Sequence, residues 1–161
     1  MPLTEKEVLL AAFDDAWSHK WESFELATKD LTEEEATYQH PSYRDDKHEQ
    51  GWPKPGTILW QLVHMEYWHR YYLSVLESLP EHEPVMPVVE PVATLHEAQE
   101  RLLHTRKQVR NTLAEMQDSS LDVALRGRLR TGEFLRMIIR HDSWHASQIA
   151  VARRLYRSRP S

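Results

Sequence analysis

Phe134-Leu-Arg-Met-Ile-Ile-Arg-His141-Asp-Ser-Trp-His145-Ala-Ser-Gln148-Ile149-Ala-Val-Ala152-Arg-Arg-Leu155 carries one amphipathic pattern. Phe134, Ile138, His141, His145, Gln148, Ala152 and Leu155 recur at alternating steps of four and three, the repeat of a buried helical seam. Two imidazoles and a carboxamide stand where a core ordinarily places leucine. An imidazole buried without a partner costs free energy, so something must satisfy these groups, and a metal ion is the first candidate. His141 and His145 are i and i+4, about 40° apart around the helix, and both rings can face one point. That spacing is a common way for a helix to offer two metal ligands. The competing reading is a pair of core histidines, each hydrogen-bonded to a protein partner.

The remainder of the chain narrows the function classes. Its 161 residues suit one domain with a substantial core. A net charge of −5 argues against a polyanion-binding surface and hence against nucleic acid. With no cysteine, the chain has no disulfide, zinc finger, iron–sulfur cluster or cysteine nucleophile, and its composition fits a reducing cytoplasm. The N-terminal Met-Pro-Leu-Thr-Glu-Lys has no basic-then-apolar signal pattern, and no run of about 18 apolar residues could span a membrane. Four glycines and few β-branched runs predict a helical protein.

Four helices are expected. Thr4, followed by Glu5 and Glu7, caps the first, over about 5–28, with Leu9, Phe13, Ala16, Trp17, Phe24, Ala27 and Leu31 recurring at three and four. Thr32-Glu-Glu-Glu35 starts a further helical turn. Residues 39–56 hold turn signals such as Gln-Gly-Trp-Pro and Lys-Pro-Gly, with Tyr43 and Trp52 placed to pack over a pocket. Thr57 caps the second helix, about 58–79, which has an aromatic-rich stripe (Trp60, Gln61, His64, Tyr67, Trp68, Tyr71, Val75) beside a second stripe of Leu59, Leu62, Val63, Glu66, Leu73 and Leu76. Proline punctuates residues 80–93, and fourteen residues in polyproline geometry reach roughly 40 Å, more than the length of a 22-residue helix at about 33 Å. The linker can therefore run back along the bundle and set helices two and three parallel. Thr94 caps the third helix, about 95–117, with Leu95, Ala98, Leu102, Val109, Leu113 and Met116 inward; Gln117–Asp122 is a loop; Thr131 caps the fourth, about 132–156. The arginines of the tail complement the dipole of that last helix. Four amphipathic helices with one long crossover make an all-α four-helix bundle.

Two histidines do not complete a metal site, and a third ligand should come from another helix, leaving a position open for water or substrate. His64 has the right phase. It also has the right level: with helices two and four antiparallel, it lies about 10 Å from the end that His145 lies about 16 Å from. His69 is next but sits about 140° away around the helix, and His104 is off the apolar stripe. His19, His40, His48, His82 and His96 fall on loops or polar faces. His141-Asp-Ser-Trp-His145 differs from the zinc-protease pattern H-E-x-x-H in its shorter acid, Asp142, and no downstream ligand follows. A di-iron bundle needs two Glu-x-x-His pairs, and Glu66-Tyr-Trp-His69 is the only one here.

An early His on helix two, entered through Trp52-Pro-Lys-Pro-Gly-Thr57, and a last helix reading His-Asp-x-x-His-x-x-Gln-Ile resemble the DinB/YfiT superfamily over nearly the whole chain. The resemblance implies an up-down-down-up bundle in which three histidines, here His64, His141 and His145, bind a divalent metal, usually zinc or nickel. Many relatives have Gly where this chain has Ser147, which suggests slightly wider helix packing here. The best-characterised relatives are thiol S-transferases and thiol-dependent isomerases using a low-molecular-weight thiol such as bacillithiol or mycothiol; others are described as hydrolases, and dimers are frequent.

The functional expectation is a thiol-dependent S-transferase acting on a small molecule, its thiol supplied from outside because the chain has none. The alternatives are a hydrolase activating water and a non-catalytic, metal-stabilised binding module. Asp142 and Gln148 are candidates to orient a ligand or substrate from behind the histidines. Trp52, Trp60, Tyr67 and Trp68 either wall an acceptor pocket or pack as core. Three imidazoles suit zinc, nickel, iron or copper. Trp17, Trp21 or Tyr72 could form a homodimer face.

Overall fold

A computed structural model describes residues 2–43, 50–78, 84–125 and 129–159. The elements run α1 (Glu5–Ser18), α2 (Phe24–Thr28), α3 (Glu33–Thr37), α4 (Ile58–Glu77), α5 (Leu95–Glu115), a 3-10 turn (Asp118–Asp122), β1 (Ala124–Leu125), β2 (Leu129–Arg130) and α6 (Thr131–Arg157). The all-α bundle expected from the periodicity is present, its four long helices being α1, α4, α5 and α6.

The first helix is shorter than its periodicity suggests. It stops at His19, Glu22 takes φ 54°, and α2 starts afresh from Ser23, whose hydroxyl accepts from the Leu26 N–H. In one continuous helix Trp17 and Phe24 would be separated by about 10 Å of rise. The break lets their rings stack at 4.1 Å, with both buried. Thr32 and Glu35 form the expected capping box at the start of α3. Glu133 accepts from the Arg130 N–H, so α6 begins at Thr131, one residue earlier than predicted. The short antiparallel β1–β2 pair before it, Ala124 with Arg130 and Leu125 with Leu129, has no counterpart in the sequence reading.

Two apolar clusters fix the directions of the helices. One joins Trp17 of α1, Ile58–Val63 of α4, Leu95–Leu102 of α5 and Ala146 and Ile149 of α6. The other joins Leu9 and Phe13 of α1, Tyr72 and Leu76 of α4, Val109 and Leu113 of α5, and Phe134–Ile138 of α6. The starts of α4 and α5 thus lie beside the ends of α1 and α6, the up-down-down-up order. Trp17 and Tyr72, expected on an outer face, are instead 6% and 3% exposed within these clusters; Trp21 is exposed.

Parallel α4 and α5 require a long return, and the linker makes it. The Val85 N–H donates to Ser74 Oγ, Arg70 donates to the Val88 carbonyl, and Arg101 donates to the Glu90 carbonyl. The chain therefore retraces α4 from its end toward its start, where Glu33 of α3 receives the Leu95 N–H. Residues 79–83, the first part of the proline-rich stretch, lie outside the described residues.

Candidate metal centre

α4 has two inward faces of different character. Ile58, Leu59, Leu62, Val63, Met65, Glu66, His69, Tyr72 and Leu76 are buried, whereas Trp60, Gln61, His64, Tyr67, Trp68 and Tyr71 are half-buried. Glu66 is tolerated on the buried face because Arg70 and Arg101 pair with it. The half-buried face turns His64 toward α6, and the four-and-three seam of α6 turns His141 and His145 toward α4. Among the described residues these three histidines form the one group able to hold a metal ion, with ligand atoms all within 4.8 Å of one another.

His145 is held at both ends of its ring. Its Nδ1 hydrogen-bonds Gln61 Oε1, and its Nε2 lies 3.0 Å from His141 Nε2. An amide oxygen only accepts, so Nδ1 carries the proton and Nε2 presents its lone pair inward. His141 Nδ1 is buried and has no hydrogen-bond partner. His64 completes the group, its ring centroid 4.8 Å from His145 and 5.5 Å from His141.

Electrostatics keep the group neutral. Burial, followed by the neighbouring His141, pushes His64 down to about 4. Burial, then His141 and His64, pushes His145 down to about 3. Burial also lowers His141, with Asp142 opposing it. Three neutral imidazoles converging at pH 7, one with an orphaned buried nitrogen, fit a divalent ion, which binds imidazole only in its deprotonated form. Without an ion they are costly neighbours.

Trp60 stacks on His64 at 4.7 Å, Trp52 and Trp68 lie 6.1 Å from it, and Tyr67 packs against both Trp52 and Trp68. The four aromatic residues singled out in the sequence therefore surround one of the three histidines, and all are half-buried. Behind His145, a cleft of about 380 Å³ is lined by Tyr38, Tyr43, Gln61, Gln148 and Val151 among others. Gln148 lines this cleft, lies close enough to His145 to act on it through its side chain, and leaves its Oε1 buried without a partner. Ser147 is exposed at the rim of the same cleft, its hydroxyl bonded to the Trp144 carbonyl.

Asp142 bonds across to His69 of α4 rather than to one of the three histidines. It is 1% exposed and accepts a 2.7 Å hydrogen bond from His69 Nε2, which is fully buried. Sequence reasoning missed this pair, and it missed Gln61 as the partner of His145. A buried His and a buried Asp on neighbouring helices were the available signal for the pair; which face each helix presents to the other was not available. His19 bonds the Trp21 carbonyl, His40 bonds Ser42, His96 pairs with Glu100, and His104 is exposed. His48 and His82 lie outside the described residues.

A family model described as the DinB superfamily matches residues 16–149. Comparison with curated proteins and with solved structures finds no match.

Proposed function

This chain belongs to the DinB superfamily, and from that membership together with the geometry above we propose that it is a divalent-metal-dependent enzyme acting on a small molecule, in which His64, His141 and His145 hold the metal. The single observation that carries the reading is the convergence of three neutral imidazoles from α4 and α6, His145 buried and His64 and His141 half-buried.

A divalent ion bound there supplies Lewis acidity, lowering the pKa of a thiol or water that joins it so that a nucleophile forms near neutral pH. Gln61 holds the His145 tautomer that offers Nε2. Trp52, Trp60, Tyr67 and Trp68 enclose the His64 side and limit water there, which strengthens every charge interaction made beside them. Since the chain has no cysteine, the attacking sulfur of an S-transferase comes from a separate low-molecular-weight thiol. Zinc and nickel are the metals that this donor set and the family favour, and the proposed reaction is thiol S-transfer.

A second reading, hydrolysis, is favoured by the donor set itself. Three neutral nitrogens leave the full ionic charge uncompensated, the condition under which water is activated most strongly. The distinguishing experiment incubates metal-loaded protein with a panel of thiols and an electrophile, monobromobimane or chlorodinitrobenzene, and then with ester substrates alone. Thiol consumption that stops on chelation supports S-transfer. Ester cleavage without a thiol supports hydrolysis, and no metal-dependent turnover of either kind favours a binding module.

A further inference from the structure

The His69–Asp142 pair is a polar feature of the core that the metal reading does not use. Both side chains are essentially inaccessible, 0% and 1% exposed, and they meet at 2.7 Å. Each leaves a polar atom without a partner, His69 Nδ1 and Asp142 Oδ2. Replacing a buried pair of this kind by apolar residues is commonly neutral or stabilising, so its contribution to the stability of the bundle does not account for it.

Its place in the fold does. Asp142 directly follows His141 on α6, and His69 lies five residues after His64 on α4, so the pair ties together the two segments that carry the three histidines. The apolar clusters on either side hold α4 and α6 together without direction, because hydrophobic contacts tolerate sliding and rotation. At a side-chain radius of about 5 Å, a 20° rotation of a helix moves its outer atoms by on the order of 2 Å. A metal site tolerates only about ±0.2 Å in its ligand distances. A rotation of only about 2° at that radius would use up the tolerance, and a directional hydrogen bond about one turn from the ligands constrains it.

Resting on the metal reading of His64, His141 and His145, we propose that His69 and Asp142 are positioning residues: their hydrogen bond fixes the rotation of α6 against α4 and so sets the convergence of His141 and His145 on His64. The bond does this through the helices, since neither His69 nor Asp142 is hydrogen-bonded to His64, His141 or His145.

The test titrates cobalt(II) chloride into metal-free protein and follows the visible ligand-field spectrum, alongside thermal unfolding of the same metal-free samples. The double variant His69→Leu/Asp142→Leu removes both partners of the bond and leaves buried Arg106, which Asp142 also favours, with Asp14 at 3.7 Å. Asp142→Asn keeps a carbonyl that can accept from His69 Nε2. The double variant should bind cobalt about 10–100-fold more weakly, the usual effect of losing a group behind a ligand, with an altered spectrum and a Tm within roughly 4 °C of that of the wild type. Asp142→Asn should restore the wild-type spectrum and an affinity within about threefold. A double variant with wild-type affinity and spectrum would overturn the proposal, as would a loss of affinity that follows a matching loss of Tm. Asp142→Asn behaving like the double variant would overturn it too. Wild-type protein that takes up no cobalt would remove the metal reading itself, and this inference with it.

Discussion

His145 is bonded on one side to Gln61 and meets His141 on the other, and that two-sided hold makes Gln61 a sensitive residue. Gln61→Ala frees the His145 tautomer and should weaken metal binding by about 10–100-fold, measured by competition with a chromophoric chelator. Unchanged affinity would mean that the amide merely fills space. The depressed His64 and His145 values also give a pH dependence. In the unfolded chain these imidazoles titrate near 6.5; in the fold they stay neutral down to about 4 and about 3. Between those limits the unfolded state binds more protons, so the stability of the metal-free protein falls as pH drops below about 6.5. Urea midpoints of metal-free protein should be lower at pH 5 than at pH 7.5, and equal midpoints would contradict the burial of these rings. At this scale the sequence shows which residues are unusual and hides which ones meet. His141 and His145 are legible because both lie on one helix, where spacing alone sets direction. His69–Asp142 and Gln61–His145 each join two helices, and the relative rotation that creates them is a property of packing.

α4 begins at a residue that serves two purposes. Thr57 is 1% exposed; its hydroxyl accepts from the Trp60 N–H and donates to the Lys54 carbonyl at 2.6 Å. Thr57→Ala should cost about 1–2 kcal/mol, a cap plus the shorter of the two hydrogen bonds to the Lys54 carbonyl, and lower Tm by roughly 2–8 °C. A change within error would show that the Gly56 turn alone sets the start of the helix. Gly56 holds φ 76°, with the Tyr43 ring where a Cβ would fall, so chain direction there is already restricted. A second joint ties α3 to α6. Burial would raise the Glu35 carboxyl, but hydrogen bonds from Arg157, the Thr32 N–H and Arg153 more than offset this and hold it below its usual value. Caps and periodicity made α4, α5 and α6 readable to within one or two residues and marked the start of α3. The break after α1 was not readable, because Trp17 and Phe24 keep helical spacing across it and only their stacking favours the turn.

Across the whole molecule, the polar core residues lie between the two apolar clusters. His64, His141 and His145 sit there with His69 and Asp142, and α5 contributes Thr105 and Arg106 at the same level. Arg106 is stacked on Phe13 and Trp17 and donates to the Phe13 carbonyl. Burial lowers it to about 10, with Asp142 and then Asp14 opposing that shift. A bundle with so polar a middle should depend on whatever ion its histidines hold. At a free concentration about 100 times Kd, binding adds about 2.7 kcal/mol, so chelation should lower Tm by roughly 5–11 °C. The central claim is that one divalent ion sits between α4 and α6. Elemental analysis of purified wild type and of His64→Ala tests it most directly. One zinc or nickel per chain in the wild type, and almost none in the variant, is the result predicted here. Metal content unchanged by His64→Ala would contradict the three-histidine site.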